Sequence, residues 1–513
     1  MFVKVKSAAL IGLKGYIVDV EVDTHKGLPG QSIVGLPDMA VKESRDRVKA
    51  AICNSGLEFP PGYFTINLAP ADTKKEGPVY DLPIAVGILA SHNIIKTGLL
   101  ENTIFIGELS LDGAVRPVAG ALPICMEVSK SGIKRAVVSK ENADEAALVE
   151  NIEVIPVGTL EEVIGYLNGD IRIEPHKVDV AAVFLKEIEY DLDFCEVKGQ
   201  FHAKRALEIA AAGGHNILMI GPPGSGKTML ARRIPTIMPS LSLNEALEIT
   251  KLYSITGFLS GKNSLITKRP FRSPHHTTSD IGIVGGGRIP RPGEISLSHF
   301  GVLFLDEFPE FSRDVLEVLR QPLEENEVSI CRAVTSVTYP AEFMLVAAMN
   351  PCPCGNYGDR LRECQCPSWK IQRYLQKLSG PLLDRIDICI EVPRLSKEDL
   401  TGCPNGETSK DIRKRVSAAR QLQRQRFSGA KISSNAKMSS KFIKKHCQLE
   451  KGGEELLKSA VLHLGMSGRA YDRVLKVALT IADLDNSPAI KEKHIAEAIQ
   501  YRNILIQKCS NMI

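Results

Sequence analysis

One short segment constrains the fold of this chain more than any other. Residues Gly221–Thr228 read GPPGSGKT and match the pattern G-x-x-x-x-G-K-[ST]. The apolar run NILMI precedes the segment and MLARRI follows it, so it lies between a predicted buried strand and a helix. Glycines let backbone amides curl around phosphate oxygens, and a helix N-terminus adds the positive end of its dipole. The sequence therefore predicts a nucleotide-phosphate site made of Gly221, Pro222, Pro223, Gly224, Ser225, Gly226, Lys227 and Thr228.

Two further apolar runs end in polar residues that suit phosphoryl transfer. GVLFL is followed by Asp306 and Glu307, and FMLVAAM is followed by Asn350. Continuous apolar runs of this length are typical of buried parallel strands. With Lys227 on the β- and γ-phosphates, Thr228 and Asp306 would hold Mg²⁺, Glu307 would activate the attacking water and Asn350 would position it. We therefore expect ATP and Mg²⁺ at this site.

The 513 residues divide into segments with different patterns. Strand-like and helix-like runs alternate over residues 1–168, which predicts an α/β domain, and residues 169–192 suit a linker. Residues 193–393 predict a second α/β domain, with a parallel sheet around the phosphate loop. After residue 393 the strand signals stop, so residues 394–513 predict a helical domain.

The sequence also bears on location and redox state. No run of 18 apolar residues occurs, and the N-terminal stretch lacks the apolar core and cleavage site of a signal peptide. Twelve cysteines without an export signal favour reduced thiols or metal ligands over disulfides. We therefore expect a cytoplasmic protein that does not contact a membrane.

Four of the cysteines form two C-x-C pairs that are nine residues apart. They are Cys352, Cys354, Cys364 and Cys366. Four thiolates can close a tetrahedral Zn²⁺ site with no open position, so the pattern predicts structural rather than catalytic zinc. The alternative is a set of free thiols in a surface loop.

Two adjacent histidines, His275 and His276, lie in the segment RSPHHTTSD. Neighbouring side chains point in different directions, so both seldom bind one metal. We interpret them as making polar contacts within their own segment.

Together these segments resemble the magnesium-chelatase-like AAA+ ATPases of the ComM or YifB family, which are competence-associated proteins of bacteria. The resemblance covers essentially the whole chain. It is carried by GHNILMIGPPGSGKTMLARR, RPFRSPHHTTSDIGIVGGG, RPGEISLSHFGVLFLDEFPEF, MNPCPCG, SGPLLDRIDI and SGRAYDRVLKVALTIADL. It implies a homo-hexameric ring with a central AAA+ domain and a C-terminal helical lid.

The resemblance also implies roles for particular residues. Asn350 would be the sensor asparagine, Arg385 an arginine finger that acts on the neighbouring subunit, and Arg469 a sensor arginine that acts within its own subunit. Taken without the resemblance, either arginine could be an ordinary surface residue. An insert over about residues 256–300 and a hairpin at Glu327–Pro340, with its tip near Arg332, would face the pore of the ring.

The N-terminal domain is similar to the protease domain of Lon enzymes, and the segment Ile106–Gly120 carries this similarity. A Lon protease needs a serine nucleophile and a lysine base. The serine region here reads GPVYDLPIAVGIL, without serine, and Leu122 and Pro123 stand in the lysine region. Because a Ser–Lys dyad needs both partners, we expect a fold without protease activity.

The net charge of +4 conceals an asymmetry. The stretch Lys410–Lys445 contains twelve Lys or Arg and one acid, which gives it a local charge of +11. Such a cluster is either a solvated helix face or a phosphate-binding surface for nucleic acid. With the resemblance, it favours an ATP-driven DNA motor for helicase or branch-migration work on single-stranded, forked or branched DNA. The alternative is a magnesium-chelatase-type chaperone that remodels a protein partner.

Overall fold

The computed structural model describes residues 1–185, 190–259, 264–287, 290–331, 336–359, 362–395, 406–430 and 432–505. The chain divides into two compact units. The first comprises Met1–Glu187 and Leu243–Thr267, and the second comprises Ile188–Ser242 and Lys268–Ile513. None of the helices in the described ranges combines the length and apolar character needed to cross a membrane.

The helices and strands follow one another in three stretches of the chain. Residues 1–187 contain β1 (Phe2–Ile11), β2 (Lys14–His25), β3 (Gly30–Val34), α1 (Met39–Asn54), β4 (Tyr63–Ala69), α2 (Asp81–Ser91), β5 (Thr103–Phe105), β6 (Glu108–Leu109), β7 (Val115–Arg116), α3 (Ala121–Lys130), β8 (Arg135–Ser139), α4 (Ala143–Ala146), β9 (Glu153–Val157), α5 (Leu160–Asn168) and α6 (Val180–Leu185). Residues 193–395 contain α7 (Phe201–Gly213), β10 (Ile217–Ile220), α8 (Lys227–Ile237), α9 (Leu243–Thr256), β11 (Phe271–Arg272), α10 (Asp280–Val284), β12 (Gly285–Gly286), β13 (Arg291–Pro292), α11 (Glu294–Leu297), β14 (Val302–Leu305), α12 (Arg313–Val318), α13 (Arg320–Glu325), β15 (Glu327–Cys331), β16 (Ser336–Pro340), β17 (Met344–Met349), α14 (Ser368–Leu375), α15 (Gly380–Leu383) and β18 (Ile388–Glu391). Residues 406–505 contain α16 (Ser409–Arg426), α17 (Ser440–His446), α18 (Lys451–Leu464), α19 (Gly468–Leu484) and α20 (Glu492–Leu505).

The first unit is built on a seven-stranded mixed sheet with the order β3-β4-β2-β1-β5-β8-β9. Strands β1 and β2 pair antiparallel, whereas β1, β5, β8 and β9 run parallel. Helix α2 is buried along its whole length, as its continuous apolar sequence requires. Its first residue, Asp81, is also buried, and Arg47 stabilises this carboxylate through a bond of 2.7 Å from Nε to Oδ2.

The second unit contains a five-stranded parallel sheet with the order β11-β14-β17-β10-β18. Every residue of β10, β14 and β17 is buried, which explains why these strands read as continuous apolar runs. Helices α16 to α20 share one apolar core with this sheet. The predicted α/β class, with a parallel sheet followed by a helical C-terminal region, is confirmed.

A buried polar cluster joins the sheet to helix α19 within the second unit. Asp387, just before β18, accepts a hydrogen bond from Nδ1 of His215 at 3.1 Å and pairs with Arg473 of α19. Nε2 of His215 lies 2.8 Å from Oγ1 of Thr480, also on α19. Burial lowers the pKa of His215, while Arg473 and His215 outweigh the effect of burial and hold the pKa of Asp387 below its ordinary range.

The stretch of residues 256–300, expected to form one insert, is divided in the structure. Its first part, up to Thr267, belongs to the first unit together with α9. Farther along, β11 pairs parallel with β14 and is the edge strand of the second unit's sheet. The physical reason is local packing, because the ring of Phe271 stacks on Phe304 at 5.9 Å between centroids.

The hairpin predicted over Glu327–Pro340 is present as the antiparallel pair β15 and β16. The described pairing runs from Glu327 with Pro340 to Cys331 with Ser336. Arg332, expected at its tip, lies outside the described residues, as does Arg288 of the predicted insert.

Candidate functional site

The phosphate loop joins β10 to the first turn of α8. Gly224 and Gly226 have φ values of 76° and 90°, a left-handed conformation that glycine adopts without strain. Gly226 stands at the N-terminus of α8, so the loop amides and the helix end are close together. This is the strand–loop–helix arrangement expected of an anion site.

Lys227 extends from α8 along the loop that precedes it. Its Nζ lies 2.7 Å from the carbonyl oxygen of Gly221, 3.0 Å from that of Pro222 and 3.3 Å from Oδ1 of Asn350. Burial lowers the pKa of Lys227, and the charge of Asp306 opposes this shift. The predicted phosphate lysine and the predicted sensor asparagine therefore meet at one point.

Thr228 and Asp306 are also in contact. The Thr228 hydroxyl donates to Oδ2 of Asp306 at 2.7 Å, and Oδ1 of Asp306 accepts the backbone amide of Glu307 at 3.0 Å. Asp306 follows the last residue of β14, which is two strands from β10 in the sheet. A hydroxyl and a carboxylate in direct contact beside a phosphate loop are oxygen ligands of the kind that Mg²⁺ prefers.

These groups line one cavity of about 670 Å³ in the second unit. Residues 223–228, Asp306, Glu307 and Asn350 all contribute to its wall. Other members of this wall were not predicted from the sequence, namely Met229, Arg232, Ser273, Pro274, His275, His276 and Met349.

His276 contacts the predicted base, Glu307, in this cavity. Its Nδ1 lies 3.1 Å from Oε2 of Glu307. The sequence did not reveal this contact, because β11, the strand before the two histidines, is only two residues long. In the structure β11 pairs parallel with β14, and the carboxyl ends of parallel strands meet at one edge of a sheet.

Arg385 and Arg469 lie together in a second cleft of about 190 Å³, which shares none of the residues that line the phosphate cavity. Glu324, Asp384, Asp472, Arg473 and Lys476 complete this cleft. Arg385 pairs with Glu324, and burial lowers its pKa. The resemblance implied that Arg469 acts within its own subunit; in the structure it lies beside Arg385 in this cleft.

The four paired cysteines converge as predicted. Their sulfur atoms all lie within 4.8 Å of one another, and Cys352 Sγ is 3.3 Å from that of Cys354 and 3.6 Å from that of Cys364. A tetrahedral zinc site with Zn–S bonds of about 2.3 Å requires sulfur separations of about 3.8 Å. The backbone amide of Asn356 lowers the pKa of Cys354 to about 6, which favours the thiolate that binds metals. The residues present therefore fit a zinc ion.

The cysteine segment also touches the phosphate loop. Gly355 has a φ of 81°, and a Cβ added to it would lie 2.4 Å from Cδ of Pro223. Only a residue without a side chain allows this approach. The contact places the cysteine cluster directly behind the wall of the phosphate cavity.

Many arginines of the basic stretch Lys410–Lys445 are used within the fold. Arg413 stacks over Tyr190 at 5.0 Å, Arg415 pairs with Glu208 at 2.6 Å and Arg420 donates to two carbonyl oxygens. Among the residues of the stretch that the structure describes, the cations with exposed side chains are Lys410, Lys414, Arg424, Lys441, Lys444 and Lys445. Two basic residues outside this stretch also bind protein atoms. Arg269 donates to the carbonyl oxygens of Pro239 and Phe300, and Arg272 forms a two-pronged pair with Glu294.

Among the described residues of the first unit, the segment GPVYDLPIAVGIL and the start of α3 are occupied by side chains other than serine and lysine. Val79 and Leu122 are both buried apolar side chains. The backbone amide of Leu122 donates to Oε1 of Glu145 at 2.8 Å, so α3 is fixed by a carboxylate rather than carrying a base.

Comparison with known proteins places the chain in a family. Three family models match it: "Magnesium chelatase, subunit ChlI" over residues 193–400, "Subunit ChlI of Mg-chelatase" over residues 20–142 and "Magnesium chelatase, subunit ChlI C-terminal" over residues 406–502. The YifB protein of Escherichia coli is 46% identical over 506 residues, which is 98% of this chain and 97% of that protein. Competence protein ComM of Haemophilus influenzae is 44% identical over 520 residues, which is 99% of this chain and 99% of that protein.

A more limited similarity connects the chain to Lon enzymes. Lon protease 2 of Bacillus subtilis is 30% identical over 127 residues, which is 24% of this chain and 22% of that protein. The matches to YifB and ComM extend over nearly the full length of each protein and therefore decide the assignment. The chain belongs to the magnesium-chelatase-like family of AAA+ ATPases that includes YifB and ComM.

Proposed function

We propose that this protein is an ATP-driven ring motor that acts on DNA. The proposed ATPase activity rests on the 2.7 Å contact between the Thr228 hydroxyl and the Asp306 carboxylate. Lys227 and Asn350 line the same cavity. Lys227 would bind the β- and γ-phosphates, and Thr228 and Asp306 would hold Mg²⁺, which neutralises phosphate charge. Glu307 would take the proton of the attacking water.

We propose that the ring is a homo-hexamer in which Arg385 and Arg469 act on the neighbouring subunit's ATP. Phosphoryl transfer needs cations on the γ-phosphate, and a neighbour can supply one in trans. The separation of the arginine cleft from the phosphate cavity supports this role.

Mixed rings test action in trans. Arg385→Ala subunits and Lys227→Ala subunits would each be inactive alone. Mixing them creates some interfaces that combine an intact Lys227 with an intact Arg385, so part of the ATPase activity should return. Verified mixed rings without any activity would contradict action in trans.

The choice of DNA rests on the exposed cations of α16 and α17 and on the relative named as a competence protein. A ring that moves along DNA needs mainly sequence-independent phosphate contacts, and such binding weakens as salt rises. The proposed contacts are the exposed cations of the basic stretch among the described residues. Neutralising Arg413, Arg415 or Arg420 would disturb the fold itself.

The DNA assay compares two triple variants. The test variant replaces Lys414, Arg424 and Lys444 with glutamine, and the control replaces the exposed Lys26, Lys42 and Lys134 of the first unit. Each lost phosphate contact makes the negative slope of log K against log salt shallower by about 0.9. The slope of the test variant should therefore become shallower by up to about three, and that of the control should not change.

A second measurement uses a synthetic fork or Holliday junction with ATP. The parent protein should bind it at low salt, hydrolyse ATP faster in its presence and move the branch. An ATPase-competent oligomer that does none of these would refute the DNA motor. The second candidate, a chaperone that remodels a protein partner, would then be preferred, since the matching family models describe a magnesium chelatase subunit.

Two structural roles complete the proposal. The four cysteines would hold a zinc ion that stabilises the segment behind the phosphate loop, without taking part in catalysis. The first unit would be a platform without protease activity, because the buried Val79 and Leu122 provide neither a nucleophile nor a base.

A further inference from the structure

The side chain of Glu307 needs an external support in order to act as a base. It is half exposed and belongs to a non-glycine residue with a φ of 52°, in the left-handed region that few such residues occupy. The backbone of Glu307 thus adopts an unusual angle, and its carboxylate is half exposed in the phosphate cavity. A base must be held close to its target geometry, because an error of about 1 Å can cost roughly 100-fold in rate.

His276 supplies such a support. Its Nδ1 lies 3.1 Å from Oε2 of Glu307, and both residues line the phosphate cavity. An ionised carboxylate can only accept a hydrogen bond, so Nδ1 must carry the proton. The carboxylate has two oxygens, and a bond to Oε2 leaves Oε1 for the attacking water.

Packing fixes the His276 ring. The ring of His275 lies against it at 4.2 Å between centroids, and Phe311 meets it edge-on at 6.5 Å. Nδ1 of His275 in turn lies 2.9 Å from the Thr277 hydroxyl. Two neighbouring rings therefore contact His276, which restricts its orientation.

We propose that His276 is a positioning residue that orients Glu307 for ATP hydrolysis. The proposal rests on the ATPase function proposed above, and it assigns a role to a residue that is remote from the phosphate loop in sequence. His276 reaches the site because the segment after β11 emerges at the same edge of the parallel sheet as Glu307 after β14. It would act on the hydrolytic step and leave ATP binding unchanged.

The test measures kcat, KM and the Kd of a fluorescent ATP analogue. His276→Ala should lower kcat by roughly 10- to 100-fold, with KM and Kd changed by less than about twofold. His276→Asn should recover much of the rate, because its amide nitrogen can donate from nearly the position of Nδ1. His463→Ala, which removes an exposed histidine of α18 that does not line the phosphate cavity, is the matched control and should retain the parent kcat.

A double-mutant cycle separates positioning from a general structural role. In a Glu307→Gln background, adding His276→Ala should not reduce the residual turnover further, because the group it orients is already disabled. A further loss there, or a His276→Ala effect that appears in KM and Kd, would overturn the proposal. So would a parent-like kcat in His276→Ala. If the parent itself does not hydrolyse ATP, the proposed function fails instead, and the two failures are thereby distinguished.

Discussion

Replacing Gly355 with alanine tests whether the cysteine segment supports the phosphate loop. A Cβ at this position would lie 2.4 Å from Cδ of Pro223, whereas carbon atoms in good contact are about 3.5 Å apart. Relief of the clash requires a displacement of about 1 Å. The φ of 81° adds about 1–2 kcal/mol of backbone strain for any residue other than glycine.

Gly358, in the same segment, provides a matched control. Its φ is 78°, nearly that of Gly355, but a Cβ there would have no neighbour within 4 Å. Gly358→Ala should therefore carry the backbone strain without the clash. The difference between the two variants isolates the contact with Pro223.

The assay is the Kd of a fluorescent ATP analogue, together with ATP turnover at saturation. We expect Gly358→Ala to bind within about twofold of the parent. Gly355→Ala should bind roughly tenfold more weakly, which corresponds to about 1.4 kcal/mol, because Pro223 belongs to the loop that surrounds the phosphates. Equal Kd and turnover in the two variants would refute the inference that this contact sets the loop geometry.

Three further predictions concern the site and its support. Lys227→Ala should abolish ATP binding or turnover, whereas Glu307→Gln should keep ATP bound and stop hydrolysis; parent-like turnover by Glu307→Gln would show that another group is the base. Elemental analysis should find about one zinc per chain and lose it in Cys352→Ser, and a metal-free preparation with full stability and activity would contradict the zinc site. Stability in urea should fall as the pH drops below about 6.5, because the folded pKa values of His215 and Asp387 both lie below their unfolded values and the unfolded chain binds more protons. A midpoint that stays constant between pH 7 and pH 4 would contradict this last expectation.

The sequence by itself determined the parts of the site that lie next to each other or directly after apolar runs. Residues Gly221–Thr228 form a phosphate loop because their spacing specifies the turn and the helix start locally. Asp306 and Asn350 could be placed because a buried parallel strand must end where the apolar run ends, and the ends of such strands meet at one edge. The four cysteines could be assigned to one candidate zinc site because they are close together in the chain.

Only the tertiary structure decided the contacts between segments that are distant in sequence. Nothing in the pattern RSPHHTTSD shows that His276 lies 3.1 Å from Glu307, since β11 is two residues long and carries too little periodicity to be recognised. Local sequence also does not show which charged side chains have partners in the folded protein. From the sequence Arg413 and Arg415 could be solvent-facing cations, but in the structure Tyr190 and Glu208 contact them. A side chain's partner depends on how helices pack, and packing is set by the whole core rather than by the neighbours in the chain.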